Sequence, residues 1–312
     1  PFGNPHYWLG PENGKQMAAL FAAKFSELDP AGKAVYEGNL KAFNQKLDAA
    51  NAKWRAQLAP LKGSKVVAYH NSWKYFLSFA GLEIAGAASP VFKCNLDAPG
   101  EIEEHVELFK RSIDAAHTLG TNMVRVFTFL RKSHPATSEE LKRAASHFPR
   151  LLEIARAEGV RVGIENEAST IVGTGAETRE FLTHLPVDPA YTVVWDPCNV
   201  LYLSGDNDPI REDLPEIIDR IGHVHIKDAR RRGTEPAATC VELGTGAIDF
   251  RKQFTMLKER GYSGWVTLET HWRAVPLDEA TQHLPAGYGF SANAEPASRV
   301  CMAHLQRFID EA

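Results

Sequence analysis

The sequence predicts an α/β protein: a (β/α) barrel from about residue 82 to the C-terminus, N-terminally incomplete and preceded over 1–81 by a helical segment. Short β-branched runs alternate with amphipathic helices, which implies a parallel sheet. The helices close on Gly81, Gly120, Gly159 and Gly261, where glycine supplies the left-handed conformation that ends a helix before the next strand. Almost every run is apolar and then ends in an acid, a His or an Arg. That collects polar groups at the C-terminal mouth, as in a barrel rather than an open layered sheet.

The first helix opens at Pro11 with Met17, Leu20, Phe21, Phe25 and Leu28 on one face, and Asp29-Pro30 stops it. A second helix carries Tyr36, Leu40, Phe43, Leu47, Ala50, Trp54 and Leu58 and ends near Pro60 and Gly63. At 1.5 Å per residue it is about 40 Å long, and one narrow apolar seam on so long a helix reads as a strut. Seven strands are expected, at 65–70, 82–90, 122–129, 160–167, 191–197, 223–228 and 265–271, one short of a full barrel. Thr174-Gly-Ala-Glu177 is a capping box opening an intervening helix.

The 312 residues are 44% hydrophobic, enough for a sizeable core, and carry a formal net charge of −4. That charge argues against nucleic acid or an anionic membrane surface as the main partner. Cys94, Cys198, Cys240 and Cys301 lie far apart with no CxxC, as expected of reduced thiols in a cytoplasmic protein. No apolar run suits a membrane span and no signal peptide is expected. The chain begins Pro1-Phe2-Gly3 without Met, as a fragment or processed product would.

Four strand ends supply ligand-type side chains: Glu165, Asp196, His225 and Glu269. Three carboxylates and one imidazole, with no thiolate, suit a hard divalent ion; Mn²⁺ is favoured and Mg²⁺, Co²⁺ or Zn²⁺ are compatible. Any one of them alone reads equally well as a polar strand cap. Four on successive strands at one mouth do not, because burying several carboxylates together without a cation is costly.

The stretches Leu82-Glu-Ile-Ala-Gly-Ala-Ala-Ser-Pro-Val-Phe-Lys-Cys, Val-Arg-Val-Phe-Thr-Phe, Ile-Glu-Asn-Glu, Trp-Asp-Pro-Cys-Asn, His-Val-His-Ile-Lys-Asp and Trp-Val-Thr-Leu-Glu-Thr-His resemble the sugar phosphate isomerase/epimerase family, with its xylose-isomerase-like TIM barrel. The resemblance spans about three quarters of the chain, in the family's order. It implies Glu165, Asp196, His225 and Glu269 as metal ligands and Glu165 and Glu269 as the acid–base pair. The substrate would be a small sugar or sugar phosphate, its enediolate stabilised by the metal. Lys93 and Arg125 end two strands and suit a phosphate or carboxylate, or a structural ion pair. Lys227, Arg230 and Arg231 look similar to substrate-contacting positions, with an exposed basic loop as the bland reading. Asn199 stands where related epimerases carry a substrate-contacting His, so sugar preference does not transfer. Glu167 and His223 are expected to orient ligands, and His271 and Trp272 to line the mouth. His105, His117, His147 and His304 are expected to be surface or packing residues. A homo-oligomer is compatible with all of this.

The N-terminal segment resembles a different family. Asn4-Pro-His-Tyr-Trp-Leu-Gly-Pro-Glu-Asn, the long helix and Lys65-Val-Val-Ala-Tyr-His-Asn-Ser-Trp are similar to the middle of the metal-binding proteins of zinc and manganese ABC importers. That implies His6 and His70 as metal ligands, two of about four, with Gly10 and Asn71 replacing acids common there. The chain thus reads as a fusion in which strand 65–70 should lie parallel to and beside strand 82–90. Besides the leading isomerase/epimerase reading, three alternatives remain: a metal-binding importer component, a phosphodiesterase on the same fold, and a catalytically impaired fusion. The acidic balance and the shortage of His ligands count against the phosphodiesterase.

Overall fold

The computed structural model describes residues 6–68, 73–203, 207–230, 238–275 and 294–312. They fall into two compact units: Pro1–Ala87 with Asp114–Asn122, and Ala88–Ile113 with Met123–Ala312.

In the first unit, α1 (Pro11–Leu28) and α2 (Lys33–Leu58) form an antiparallel hairpin. Lys15 Nζ reaches Asp48 Oδ1 at 2.5 Å and Asn51 Nδ2 donates to Glu12 Oε1, which fixes the pairing of the α1 start with the α2 end. Leu20, Phe21, Phe25 and Leu28 stay exposed, so the hairpin is a strut with its seam only partly covered. Beyond it, β1 (Lys65–Ala68), α3 (Lys74–Ala80) and β2 (Glu83–Ala88) make one βαβ turn. Here β1 pairs in parallel with β2, Lys65 opposite Glu83 and Ala68 opposite Ala87, the pairing expected of strands 65–70 and 82–90. Residues 69 and 70 lie outside the described residues. A small core of Leu77 and Ile84, with Val66, Phe76, Leu82 and Leu119 against it, holds this turn.

The second unit holds the main sheet. Strands β3 (Met123–Val126), β4 (Arg161–Glu165), β5 (Tyr191–Trp195), β6 (Ile221–Ile226) and, after a hairpin, β9 (Trp265–Leu268) pair in parallel in that order. The helices between or after them are α4 (Pro99–Leu119), α5 (Ser138–Ala145), α6 (Phe148–Ala157), α7 (Gly175–Thr183), α8 (Pro197–Leu203), α9 (Leu214–Ile217), α10 (Phe250–Glu259) and α11 (Ala294–Asp310). A short antiparallel hairpin, β7 (Asp228–Arg230) with β8 (Thr239–Val241), was not expected from the sequence.

Among the described residues the parallel strands fall at the seven places read from the sequence, and those from β2 onward end before the residue where the sequence reading ended them. Gly120 and Gly159 follow α4 and α6 at φ +74° and +66° with open space where a Cβ would stand, so glycine is needed there for backbone conformation, not for room. The capping box at Thr174 forms as read, Glu177 N donating to Thr174 Oγ1 at 3.1 Å.

Trp195, Phe109, Phe148, Phe181 and Phe250 fill the core. Phe92 and Phe129, stacked with ring centroids 4.5 Å apart, are fully buried at φ +61° and +69°. Bulky residues rarely adopt that conformation. Their burial and the Phe129 N to Phe92 O hydrogen bond of 2.6 Å hold them in it. No helix among the described residues is long and apolar enough to cross a membrane.

Candidate metal centre

Each ligand-type residue sits where a strand stops. Glu165 is the last residue of β4, Asp196 follows Trp195 at the end of β5, His225 is next to last in β6, and Glu269 follows Leu268 at the end of β9. The parallel register stacks these ends side by side; β4, β5 and β6 are mostly buried and β9 is half-buried along its length. One ligand atom from each of the four residues falls within 4.8 Å of those of the others. His225 Nδ1 lies 3.0 Å from Glu165 Oε1 and 3.9 Å from Glu269 Oε2.

The electrostatics of this cluster are those of buried acids held by cations. Burial pushes Asp196 up to about 6, with Lys227 pulling the other way. Burial would raise Glu165 too, but Arg125 and His225 outweigh it and hold the carboxyl below its usual range. Glu269 is likewise lowered, burial being outweighed by Lys227, His271 and His225. His225 is raised despite burial because Glu165 faces it.

The donor set fits a divalent cation. Among the described residues, three carboxylates face two permanent cations: Arg125, whose Nε is 2.9 Å from Glu165 Oε2, and Lys227. The Oδ1 atom of Asp196 is committed to the backbone N–H groups of Cys198 and Asn199, which leaves Oδ2, buried and without a well-aligned hydrogen bond, turned to the cluster. Oxygen donors with one imidazole suit Mn²⁺, Mg²⁺ or Zn²⁺.

The remaining expected site residues divide. Arg125 is an ion-pair partner: besides Glu165 it donates from Nη1 to Ser89 O at 2.9 Å and lies over the Phe127 ring at 4.1 Å. Lys93 joins it over Phe127 and reaches Glu167 Oε1 at 3.5 Å. Lys227 corrects the exposed-loop reading. It is 6% exposed, with Nζ 2.7 Å from Asp196 Oδ2 and 2.9 Å from Glu269 Oε2, and those two acids hold its ammonium well above the usual range against the pull of burial.

Asn199 is buried with Nδ2 donating to Asn166 O at 2.8 Å, which ties α8 to the end of β4. Glu167 does not touch a ligand; it accepts from Ser169 Oγ and pairs with Lys93, because β4 has ended and the chain has turned. His223 packs edge-on to His225 at 5.1 Å, burial pushes it down to about 3, and its Nε2 meets Thr267 Oγ1 at 2.7 Å. His271 Nε2 approaches Glu269 Oε1 at 3.5 Å. Arg231 and His70 lie outside the described residues. His6 is in the first unit, its ring 5.5 Å from that of Trp8, and its expected partner lies outside the described residues.

Sequence reading passed over Asn166. Its fully buried amide accepts from Asp196 N at 2.7 Å and donates to Asp196 O at 2.8 Å and Gly173 O at 3.1 Å, clamping the backbone of a ligand from both sides.

A family model described as the xylose isomerase-like TIM barrel matches residues 41–290. The chain belongs to the xylose isomerase-like TIM barrel family. An inosose dehydratase of Klebsiella pneumoniae is 28% identical over 221 residues, 63% of this chain and 72% of its own length. Among solved structures, 3-keto-D-glucoside 4-epimerase YcjR of E. coli superposes with a TM-score of 0.56 at 18% identity, over 76% of this chain and 83% of that one. The IolI protein, solved with a zinc atom, gives 0.56 at 21% identity over 74% and 78%. These two share the barrel fold of the family. A different relative matches a short stretch: the high-affinity zinc uptake protein ZnuA of Brucella abortus is 40% identical over 82 residues, 26% of this chain and 25% of its own length.

Proposed function

We propose that this xylose isomerase-like barrel is a divalent-metal-dependent enzyme that moves a proton at the carbon next to a carbonyl of a small sugar or sugar phosphate, isomerising or epimerising it. The observation that carries the reading is the convergence of Glu165, Asp196, His225 and Glu269 within 4.8 Å of one another. An ion bound by these four residues supplies Lewis-acid polarisation of a substrate carbonyl and offsets negative charge developing on its oxygens. Mn²⁺ is the favoured ion on donor chemistry, with Zn²⁺ the first competitor because IolI was solved with zinc.

The chain's own residues do the rest. Glu165, buried and held ionised by Arg125 and His225, suits the role of base. Glu269, whose Oε2 lies 3.9 Å from His225 Nδ1, is in contact with Lys227 and near His271, two groups that carry protons, and so suits the return step. Lys227 holds Asp196 and Glu269 in place, and Arg125 fixes Glu165.

A second reading is dehydration, in which the same proton abstraction is followed by loss of a β-hydroxyl; the inosose dehydratase relative favours it. One experiment separates them. Ketoses, ketose phosphates and inososes are incubated with the protein and Mn²⁺ or Zn²⁺ in D₂O and followed by NMR. Deuterium at the carbon next to the carbonyl with a new stereoisomer or aldose supports isomerase/epimerase chemistry, and loss of water supports the dehydratase. No exchange in any substrate with any of these ions refutes both.

We also infer that residues 1–81 are an importer-type segment joined to a barrel over 82–312. The 40% match to ZnuA over 82 residues and the parallel β1–β2 pairing support this reading. Zinc transport is the weaker assignment, since the match spans a quarter of ZnuA. Cysteine usage and charge favour the cytoplasm.

A further inference from the structure

The chemistry proposed above uses the C-terminal ends of the strands; their N-terminal ends carry a second cleft. Arg161 opens β4, Tyr191 opens β5, Ile221 opens β6 behind a single 3-10 turn (Ile218–Arg220), and Trp265 opens β9. Because these strands are parallel neighbours, their first residues share one end of the sheet. An open cleft of about 810 Å³ lies there, with Arg161, Asp188, Tyr191, Asp219, Arg220 and Arg260 in its walls. That volume is in the range of a small-molecule site. At about 3.3 Å per residue, the length of β4 puts Arg161 about 13 Å from Glu165, so the cleft is separate from the metal cluster.

The two acids in the walls are already neutralised. Arg156 Nη1 donates to Asp188 Oδ2 at 2.6 Å, and the backbone N–H of Ala190 donates to Asp188 Oδ1 at 2.8 Å. Asp219 accepts from Arg260 Nη1 at 3.1 Å on each oxygen. Arg161 and Arg220 bond to neutral oxygens instead. Arg161 Nε donates to Pro189 O at 3.3 Å, and Arg220 Nη2 donates to Tyr191 Oη at 2.6 Å, its guanidinium carbon 5.1 Å from the centre of that ring. Among the described residues neither forms an ion pair with a carboxylate. Tyr191 is buried, and Thr192 Oγ1 donates to Arg220 O at 3.0 Å, so Arg220 is held at its backbone and at its head. A guanidinium fixed in this way gives up little freedom on taking an anion. The exposed Arg260–Asp219 pair is worth little and yields its arginine to a stronger anion at small cost.

We propose that this cleft is a binding site for a small metabolite carrying two phosphate groups, with Arg161 and Arg220 supplying the charge and Arg260 joining them at the rim. The planar guanidinium fork meets phosphate oxygens two at a time, which favours phosphate over a lone carboxylate. Two uncompensated guanidiniums call for more than one anionic group. An isolated phosphate leaves most of the 810 Å³ empty, so the ligand has an organic body as well. Tyr262, Ser263 and Trp265 line the same cleft and offer that body hydroxyls and an aromatic wall. The site uses nothing from the metal centre and stands whether or not the barrel turns over a sugar.

The test uses the full chain in EDTA, which keeps metal out of the other end of the strands. Inorganic pyrophosphate is titrated by calorimetry into the wild type, into Arg161→Gln/Arg220→Gln and into Lys93→Gln, a change near the metal cluster. The expected result is one site per chain with a dissociation constant below about 1 mM, weakened at least about tenfold in the double variant and unchanged in Lys93→Gln. ADP and fructose 1,6-bisphosphate are titrated in the same way, and the tighter of the two tells a nucleotide from a sugar bisphosphate as the source of the phosphates. Labelling of wild-type arginines with phenylglyoxal, mapped by mass spectrometry, gives a readout that no variant's folding affects. Pyrophosphate should protect Arg161 and Arg220 and leave Arg179 and Arg299 reactive. Absence of saturable binding to the wild type, equal affinity in the double variant, or labelling of Arg161 and Arg220 undiminished by pyrophosphate overturns the proposal.

Discussion

Replacing Lys227 by Met keeps the length of the side chain and removes its charge. Asp196 is fully buried and Glu269 partly so, and Lys227 Nζ lies 2.7 and 2.9 Å from them. Breaking a buried ion pair by deleting one partner costs about 3–5 kcal/mol, because the surviving charge stays desolvated. At about 2 °C per kcal/mol for a large domain, the melting temperature in EDTA should fall by about 6–10 °C. A divalent ion binding the same carboxylates supplies the missing charge. With Lys227 no longer competing for the carboxylates the variant should bind Mn²⁺ more tightly, so at one Mn²⁺ concentration, a hundredfold excess worth about 2.7 kcal/mol in the wild type, the melting point of Lys227→Met should rise by more. Thermal unfolding with EDTA and with Mn²⁺ measures both. A drop of under about 2 °C in EDTA, or equal metal-induced shifts in the two proteins, refutes the claim that Lys227 neutralises the ligand carboxylates.

Three further outcomes follow from the geometry. Glu165→Gln and Glu269→Gln should each lower turnover of the responsive sugar by about 10²–10⁴-fold while leaving the fold intact, which deuterium exchange reads directly. Asn166→Ala should weaken metal binding about 10–100-fold by calorimetry, because Asp196 loses the amide that holds its backbone on both sides. Stability should fall as pH drops below about 6.5, the unfolded-state value for histidine. His105 accepts from Phe92 N at 2.8 Å and burial keeps its imidazole below the usual range, so the unfolded chain takes up the proton first. The stabilisation is complete above that pH and is lost as pH falls toward the folded-state value; urea midpoints at pH 7 and pH 5 should converge in His105→Asn.

The strands and the metal cluster were legible because they rest on local patterns. An apolar run ending in an acid or a His states both where a strand lies and what its mouth carries. The nearness of Lys227 to the ligands was legible too: it stands two residues after His225, and alternation along an extended chain puts residues i and i+2 on one face. The same rule fails for Glu167, two residues after Glu165, since β4 ends at Glu165 and the chain turns. That turn also swings Asn166 beneath Asp196, a placement set by tertiary packing and not by any periodicity. The β7–β8 hairpin went unseen because three-residue strands carry too little pattern. The contact of Cys240 with Tyr202 of α8 depends on that hairpin.

The central claim is that four strand ends make one metal site. Its most direct test is an anomalous-difference map from crystals grown with Mn²⁺. The account predicts one strong peak per chain within about 2.0–2.6 Å of side-chain atoms of Glu165, Asp196, His225 and Glu269. A peak elsewhere with none among these residues, or a peak there that persists undiminished in Asp196→Ala/Glu269→Ala, contradicts it.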